Sequence, residues 1–572
     1  MADERRSTRP NILLVLADDM GFSDIGCYGS EVATPAIDGL AANGLRFSQM
    51  YNSARCCPSR ASLLTGLHPH QTGIGHAFLP AVWWPFMLGE ASGELPPAAR
   101  SYLGYLTDNC VTVAELLQDA GYRTIMSGKW HTSRLAFLPG EDTGGRDRPR
   151  AHPNDRGFDE FYGILTGAGS YFNPLDLQHN RERLGPPNDP DYYLTDAITD
   201  HAIDHIGRAL DDAQPFFHYL AFTAPHWPLH AFEEDVARYE LRYRGGWDLA
   251  RAERHERARD EGLLDERWPI STRDPDAWPF EEARFPEWEA HRMAVYAAQV
   301  DRMDRNVGRV VDLLRQRGAL DDTLIFFLSD NGGCAEFLME DGVLDLSPMA
   351  GTTPEGGPVR FGNDPGIVPG GADTFASYDL CWSNVSNAPF RRHKRWVHEG
   401  GIATPLIVHW PQRIRKPEIV HTPAHIVDIA PTCLEAAGVR YPTEFAGHDL
   451  DPLEGVSLSP TFADHRWERP GELYFEHEGN RALRVGDWKL VSAWPGSWEL
   501  YDLSSDRTET RDLADAEPAH LKRLTAMWLD WARRVDVDLE FREALADFFS
   551  RDTTITAPGR QDLLRARRGT SG

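Results

Sequence analysis

Four apolar runs in this chain end on groups that bind metals or move protons. "PNILLVLA" runs into Asp18-Asp19, and "DTLIFFLS" runs into Asp330-Asn331-Gly332. The run from Tyr122 to Ser127 leads into Gly128-Lys129-Trp130-His131, and Phe216 to Phe222 leads into Pro225-His226-Trp227-Pro228. Singly, each has an ordinary reading: a turn or helix cap for the aspartates, a solvated loop for Lys129 and His131, a histidine held between prolines for His226. Their common position changes the weight. Ligands of open parallel sheets bind beyond the carboxyl ends of the strands, so four such ends imply one shared site. Three carboxylates and an amide are hard oxygen donors, suited to Ca²⁺ or Mg²⁺ and not to zinc. Arg60, Lys129, His131, His226 and Lys394 supply cations and proton-transfer groups around that centre. The combination suits an oxyanion substrate, sulfate or phosphate.

The elements that must position these groups are legible from pattern. "PNILLVLA" is a continuous apolar run, as expected of a strand buried on both faces. "ATPAIDGLAANG" reads as a helix closing at Gly44. "TVAELLQDAG" reads as a helix with Thr112 as N-cap and Glu115 at the capping-box position, feeding the strand "YRTIMSG". Met293, Ala297, Val300, Met303, Val307, Val310 and Leu314 mark one face of a long helix before "DTLIFFLS". "HIVDIAPTCLEAAGV" predicts another helix. Helices alternating with buried strands predict a doubly wound α/β domain. Gly332 to Arg391, rich in Gly, Pro and Asp, is expected to be one long loop over the site. It and the segment from Phe78 to Asn109 are expected to shape the substrate pocket. "GELYFEHEGNRALRVGDWKLVSAWPGSWELYDL" then predicts a small antiparallel sheet. The expected organisation is a catalytic α/β domain over 1–468, an α+β subdomain over 469–550 and a tail over 551–572.

At 572 residues, 41% hydrophobic and 26% charged, the chain has the balance of a soluble globular protein. Its net charge of −28 argues against nucleic acid, which requires a basic face. No apolar stretch approaches the roughly 18 residues of a membrane span, and the charged N-terminus does not resemble a signal peptide. Seven cysteines without a C-x-x-C pair do not make a disulfide framework. A cytoplasmic protein is expected, with no nucleic-acid or membrane partner.

One stretch carries more information than the rest. "CCPSRASLLTG", Cys56 to Gly66, resembles Cys-x-Pro-Ser-Arg-x-x-x-x-Thr-Gly, the signature of formylglycine-dependent sulfatases of the alkaline phosphatase superfamily. A chance match occurs on the order of 10⁻⁸ times per starting position. The resemblance spans nearly the whole chain: "RPNILLVLADDMGFSDIGCYG", "AGYRTIMSGKWH", "APHWPLH", "LSDNGG" and "RHKRWVHEGGIATPLIVHWP" follow in the family's order, and "GDWKL" and "WELYDLSSD" resemble its C-terminal part. The pattern is most similar to cytosolic bacterial arylsulfatases. It departs from the family at Thr132-Ser133, where Leu-Gly is usual, and at Ala403-Thr404-Pro405, where Arg-Val-Pro is usual.

The resemblance implies a large mixed sheet of alkaline phosphatase type and hydrolysis of a small sulfate ester, with aryl sulfates as the expected class. It assigns Cys56, by its distance to Pro58 and Arg60, as the cysteine that a formylglycine-generating enzyme oxidises. The hydrated aldehyde carries two hydroxyls on one carbon: one is the nucleophile, and the other lets sulfate leave by elimination. Asp18, Asp19, Asp330, Asn331 and an oxygen of modified Cys56 are the implied ligands of Ca²⁺, or alternatively Mg²⁺. Arg60 is assigned to hold the hydrate, with Asp330 taking part in its deprotonation. Lys129 and Lys394 are assigned to sulfate oxygens, and His131 to the base that releases sulfate. His226 is assigned as the general acid for the departing alcohol or phenol, with Lys394 as the alternative source of the leaving-group proton. Cys57, together with Cys27, Cys110, Cys334, Cys381 and Cys433, is expected to be a structural thiol. Two alternatives accompany this reading: a phosphonate monoester or phosphodiester hydrolase of the same superfamily, whose members typically carry Asp-His where this chain has Asp330-Asn331, and a silent anion-binding protein if Cys56 is unmodified.

Overall fold

In the computed structural model, strand β1 (Asn11–Ala17) lies in the middle of a mixed sheet, with a strand on each edge and helices on both faces. The structure describes residues 9–76, 97–133, 151–187, 189, 191–339, 346–463 and 466–537. The other strands of this sheet are β2 (Leu45–Tyr51), β3 (Arg123–Lys129), β4 (Glu160–Ile164), β5 (Leu177–His179), β6 (Glu182–Arg183), β7 (Phe216–Ala221), β8 (Thr323–Ser329), β9 (Ala403–His409), β10 (Glu418–Val420) and β11 (Ala424–His425). Their order is β10-β2-β9-β8-β1-β7-β3-β4-β5-β6, with β11 beside β2. The central strands β8, β1, β7, β3 and β4 run parallel, while β9 is antiparallel to both β8 and β2.

All seven residues of β1 are buried because its alternate side chains enter two different cores. Leu13, Val15 and Ala17 face helices α3 (Leu194–Asp211) and α4 (Pro286–Gln316), through side chains such as Ile198, Ile206, Met293 and Val300. Ile12, Leu14 and Leu16 face α1 (Cys56–Thr65), α2 (Val113–Asp119) and α7 (Ile429–Ala437), through Leu63, Leu64, Leu117 and Leu434. The capping box predicted at Thr112 is present: Glu115 N–H donates to Thr112 Oγ1 at 3.1 Å, and Thr112 N–H to Glu115 Oε2 at 2.8 Å.

The register matters most for function. Ala17 pairs with Ser329, and Leu16 and Gly128 both pair with Ala221, so β1, β8, β7 and β3 finish at nearly the same level. The residues that follow must converge there. Gly128 permits this closeness: its φ is +115°, and a Cβ would lie 1.8 Å from the Ala221 carbonyl oxygen.

The expected single loop from Gly332 to Arg391 needs correction. It contains the paired strands Arg360–Phe361 and Thr374–Phe375 and the buried helix α5 (Asp379–Ser386). Its Gly, Pro and Asp content hides the anchor of α5, Trp382, whose indole donates to Glu289 O at 2.8 Å. Residues 340–345 of this segment, and 78–96 of the expected pocket segment Phe78 to Asn109, lie outside the described residues, as does the expected tail.

The short helix α6 (Glu399–Ile402) leads into β9. Downstream, β12 (Leu473–His477), β13 (Asn480–Val485), β14 (Trp488–Ser492) and β15 (Glu499–Asp502) form the expected antiparallel sheet. Helix α8 (Pro518–Arg534) covers it with Leu524, Trp528 and Trp531 over Leu483, Leu490 and Leu500. No helix among the described residues is long and apolar enough to cross a membrane.

Candidate active site

Cys56 is the first residue of α1 and so sits at the positive end of that helix dipole. The ten residues of α1 are all buried, and the helix stops at Gly66, whose φ of 73° is the left-handed cap that the Thr65-Gly66 pair provides. A hydrogen bond from the Cys57 thiol, followed by Lys129, His131 and Lys394, outweighs burial and holds the Cys56 thiol well below its ordinary pKa. Burial does the opposite to Cys57. The two neighbours therefore differ: Cys56 stands in an electropositive surrounding and Cys57 packs in the core around α1.

Arg60, one turn along α1, is fully buried and ties three strand ends together. Its Nε and Nη2 lie 2.9 and 2.8 Å from Asp330 Oδ2, its Nη2 lies 3.3 Å from Asp18 Oδ1, and its Nη1 donates to Lys129 O at 2.9 Å. Lys129 Nζ donates to Asp18 Oδ2 at 2.6 Å. Asp19 N–H donates to Asp330 Oδ1 at 3.1 Å, and Asn331 Nδ2 to Asp19 Oδ1 at 2.7 Å. Lys394, on the segment before α6, donates to Asp19 Oδ2 at 2.8 Å and stands 3.3 Å from His226 Nε2. His226 Nδ1 lies 2.7 Å from Trp227 O. A carbonyl only accepts and an ammonium only donates, so Nδ1 carries the ring proton and Nε2 accepts from Lys394. His131 and Cys56 each have a ligand atom within 4.8 Å of the other. Asp19 and His131 both have left-handed backbones, φ 64° and 49°, the kind of local strain that a packed site holds in place.

The structure thus brings Asp18, Asp19, Cys56, Arg60, Lys129, His131, His226, Asp330, Asn331 and Lys394 to one buried cluster at the sheet's carboxyl edge. Sequence reasoning missed Glu336 and Arg55. Glu336 lies 2.9 Å from Arg55, 3.8 Å from Lys394 and accepts from Trp227 Nε1 at 2.7 Å. Burial pushes its carboxyl up, but Lys394 and Arg55 prevail and hold it at about 2. No motif marks Glu336; only the fold of the long segment after Asn331 brings it here.

The donor set fits a hard divalent cation. Asn331 Oδ1 is buried without a hydrogen-bond partner and Asp18 Oδ1 has only the Arg60 guanidinium, at 3.3 Å, and burial pushes the carboxyls of Asp18 and Asp330 up. Buried, crowded carboxylates of this kind want a cation between them. Asp18, Asp19, Asp330 and the amide oxygen of Asn331 would hold it, and oxygen donors favour Ca²⁺ or Mg²⁺.

The chain belongs to the sulfatase family, which makes it a sulfuric ester hydrolase: the sulfatase family model matches residues 10–439. The family described as N-sulphoglucosamine sulphohydrolase, C-terminal, matches residues 391–528. The chain is 34% identical to an arylsulfatase of Klebsiella aerogenes over 80% of this chain and 93% of that one. It is 32% identical to an uncharacterized sulfatase of Schizosaccharomyces pombe over 98% of this chain and 99% of that one. Among solved structures, Ps i-CgsB superposes with a TM-score of 0.62 at 24% identity, covering 94% of this chain and 100% of that one. The PsFucS1 sulfatase from Pseudoalteromonas sp. gives 0.56 at 19% identity, covering 96% and 92%. These two share the fold.

Proposed function

We propose that the protein hydrolyses aryl sulfate monoesters through Cys56 matured to formylglycine, with Ca²⁺ as its ion. The observation that carries this reading is Cys56 at the start of α1, one turn before Arg60, whose guanidinium bridges Asp18 and Asp330 of the hard-oxygen cluster. The hydrated aldehyde would supply a hydroxyl nucleophile and a second hydroxyl for expelling sulfate, and the ion would neutralise sulfate oxygens.

The chain's own residues account for the rest. Arg60, braced by Asp18 and Asp330, orients the side chain at position 56. Lys129 and Lys394 bind sulfate oxygens. Three carboxylates, Asp18, Asp19 and Asp330, meet three cations, Arg60, Lys129 and Lys394, so a dication gives the cluster the surplus positive charge an anionic ester needs. Lys394 bears the proton shared with His226 Nε2 and passes it to the leaving phenol, while Trp227 O fixes the His226 ring. His131 takes the proton that releases sulfate.

A formylglycine-generating enzyme is the implied maturation partner. None of the seven cysteines is paired in a disulfide, which suits a reducing compartment such as the cytoplasm. Asn331 favours sulfate over phosphonate esters. Steady-state rates with paired aryl sulfate and aryl phosphonate esters test this: a higher kcat/KM for the sulfate supports the reading, and a large phosphonate preference sinks it. Elemental analysis tests the ion, and stoichiometric Mg²⁺ in place of Ca²⁺ would overturn that part.

A further inference from the structure

A cluster of imidazoles lies apart from the catalytic groups. His201 and His205 stand four residues apart on α3 and so project from one face, with ring centroids 4.2 Å apart. The edge hairpin brings a third: β5 pairs Tyr162 with His179, whose ring centroid lies 5.7 Å from that of His201. One ring nitrogen from each histidine lies within 4.8 Å of those of the other two. We propose that His179, His201 and His205 form a second metal site, for a zinc-class transition ion, which ties the β5–β6 hairpin to α3.

Three observations support this. The first is an outer layer that fixes the ligand tautomer. Ser127 Oγ lies 2.8 Å from His201 Nδ1 and 3.0 Å from His218 Nε2. With His201 Nδ1–H donating to Ser127, and the hydroxyl donating on to His218, the lone pair of His201 Nε2 is left for a ligand. That Nε2 is buried and has no hydrogen-bond partner. Histidine ligands of zinc characteristically give their second nitrogen to such a partner. The second is His205, only 3% exposed, whose Nδ1 also has no hydrogen-bond partner.

The third is local charge. The guanidiniums that act on these rings are already paired, Arg208 with Asp204 at 2.7 Å and Arg123 with Glu160 at 3.8 Å. Glu160 Oε2 also stands 3.9 Å from His179 Nε2. A dication would meet no opposing surplus there. Zinc–nitrogen bonds of about 2.0–2.1 Å need the three nitrogens closer than 4.8 Å, and His179, the exposed member of the three, is the one that would close the gap. An all-imidazole set selects Zn²⁺, Co²⁺, Ni²⁺ or Cu²⁺ over Ca²⁺ and Mg²⁺. The ions at the two sites would therefore not compete. Three protein nitrogens leave a fourth position for water.

The test uses the full chain saturated with Ca²⁺, titrated with Zn²⁺ against a chromophoric chelator and separately with Co²⁺. The expected result is one further ion bound per chain, with tetrahedral Co²⁺ absorption bands. His179→Ala, at an exposed position, and His205→Ala should each weaken binding at least about tenfold while aryl sulfate turnover persists, and Ser127→Ala should weaken it about 10–100-fold. No uptake by the Ca²⁺-saturated protein overturns the proposal. So does uptake that His179→Ala leaves unchanged, because that ion would be held elsewhere.

Discussion

Replacing Glu399 by Gln should loosen the fold and the site together. Glu399 is fully buried at the start of α6, where its carboxylate meets Lys489 Nζ at 2.8 Å, Arg507 Nε at 2.9 Å and Tyr51 OH at 3.0 Å. Glu509 completes the balance, 2.7 Å from Lys489 and accepting from Glu399 N–H at 3.0 Å. Two buried acids thus face two buried bases, and the pairing joins the C-terminal sheet to the catalytic core. Burial pushes the Glu399 carboxyl up, yet Lys489 and Arg507 outweigh it and hold it at about 2 against an ordinary 4.5. Removing one partner of such a buried pair costs roughly 3–5 kcal/mol. For 572 residues melting as one unit, with an entropy of about 2.1 cal/mol/K per residue, Tm should fall by about 3 °C. Activity should suffer too, because Gly332 N–H donates to Gly401 O at 3.0 Å and Lys394 N–H to Gly333 O at 3.1 Å, so α6 braces the segment after Asn331. A displacement there should lower kcat about 10- to 100-fold. Calorimetry and aryl sulfate kinetics read both effects. The pair Glu399→Gln with Arg507→Met should cost less than the sum of its single changes. A single Glu399→Gln variant with unchanged Tm and kcat would refute the reasoning.

Three further outcomes are expected. Asn331→Ala removes an amide oxygen from the hard-donor set and should weaken Ca²⁺ binding at least about tenfold by isothermal titration, with little change in circular dichroism. Glu336→Gln removes the anion between Arg55 and Lys394 and should lower kcat/KM about tenfold at unchanged fold; an unaltered kcat/KM would exclude Glu336 from the site. Burial holds His68, His230 and His409 at about 4. Between about pH 6.5 and 4 the unfolded chain takes up protons that the folded chain refuses, so stability should hold above pH 6.5 and fall by several kcal/mol across that window. Denaturant titrations at successive pH values measure it, and a flat profile would contradict it.

Much of the catalytic cluster was legible because its signals are local. Asp18-Asp19 and Asp330-Asn331 each follow an apolar run, and parallel pairing from Asn11↔Thr323 to Ala17↔Ser329 puts both at one level. The Cys56-to-Gly66 signature coincides with one helix, Cys56–Thr65, closed by Gly66. The contribution of Glu336 was not legible, because it depends on long-range packing of a segment whose composition reads as loop. The same holds for α5, held by Trp382 against Glu289 far along the chain. The antiparallel strand β9 inside an otherwise parallel centre also left no mark, since "ATPLIVH" is equally apolar in either direction. The histidines of α3 and β5 escaped notice for another reason: His179 meets His201 and His205 only after the sheet has formed.

The most direct test of the catalytic account is the mass of the tryptic peptide Cys56 to Arg60, "CCPSR", from active protein made in its native host. The account predicts a species about 18 Da lighter than the unmodified peptide, with the loss confined to position 56 and its abundance tracking aryl sulfate turnover across preparations. Full turnover from protein whose Cys56 is still an intact thiol would contradict it.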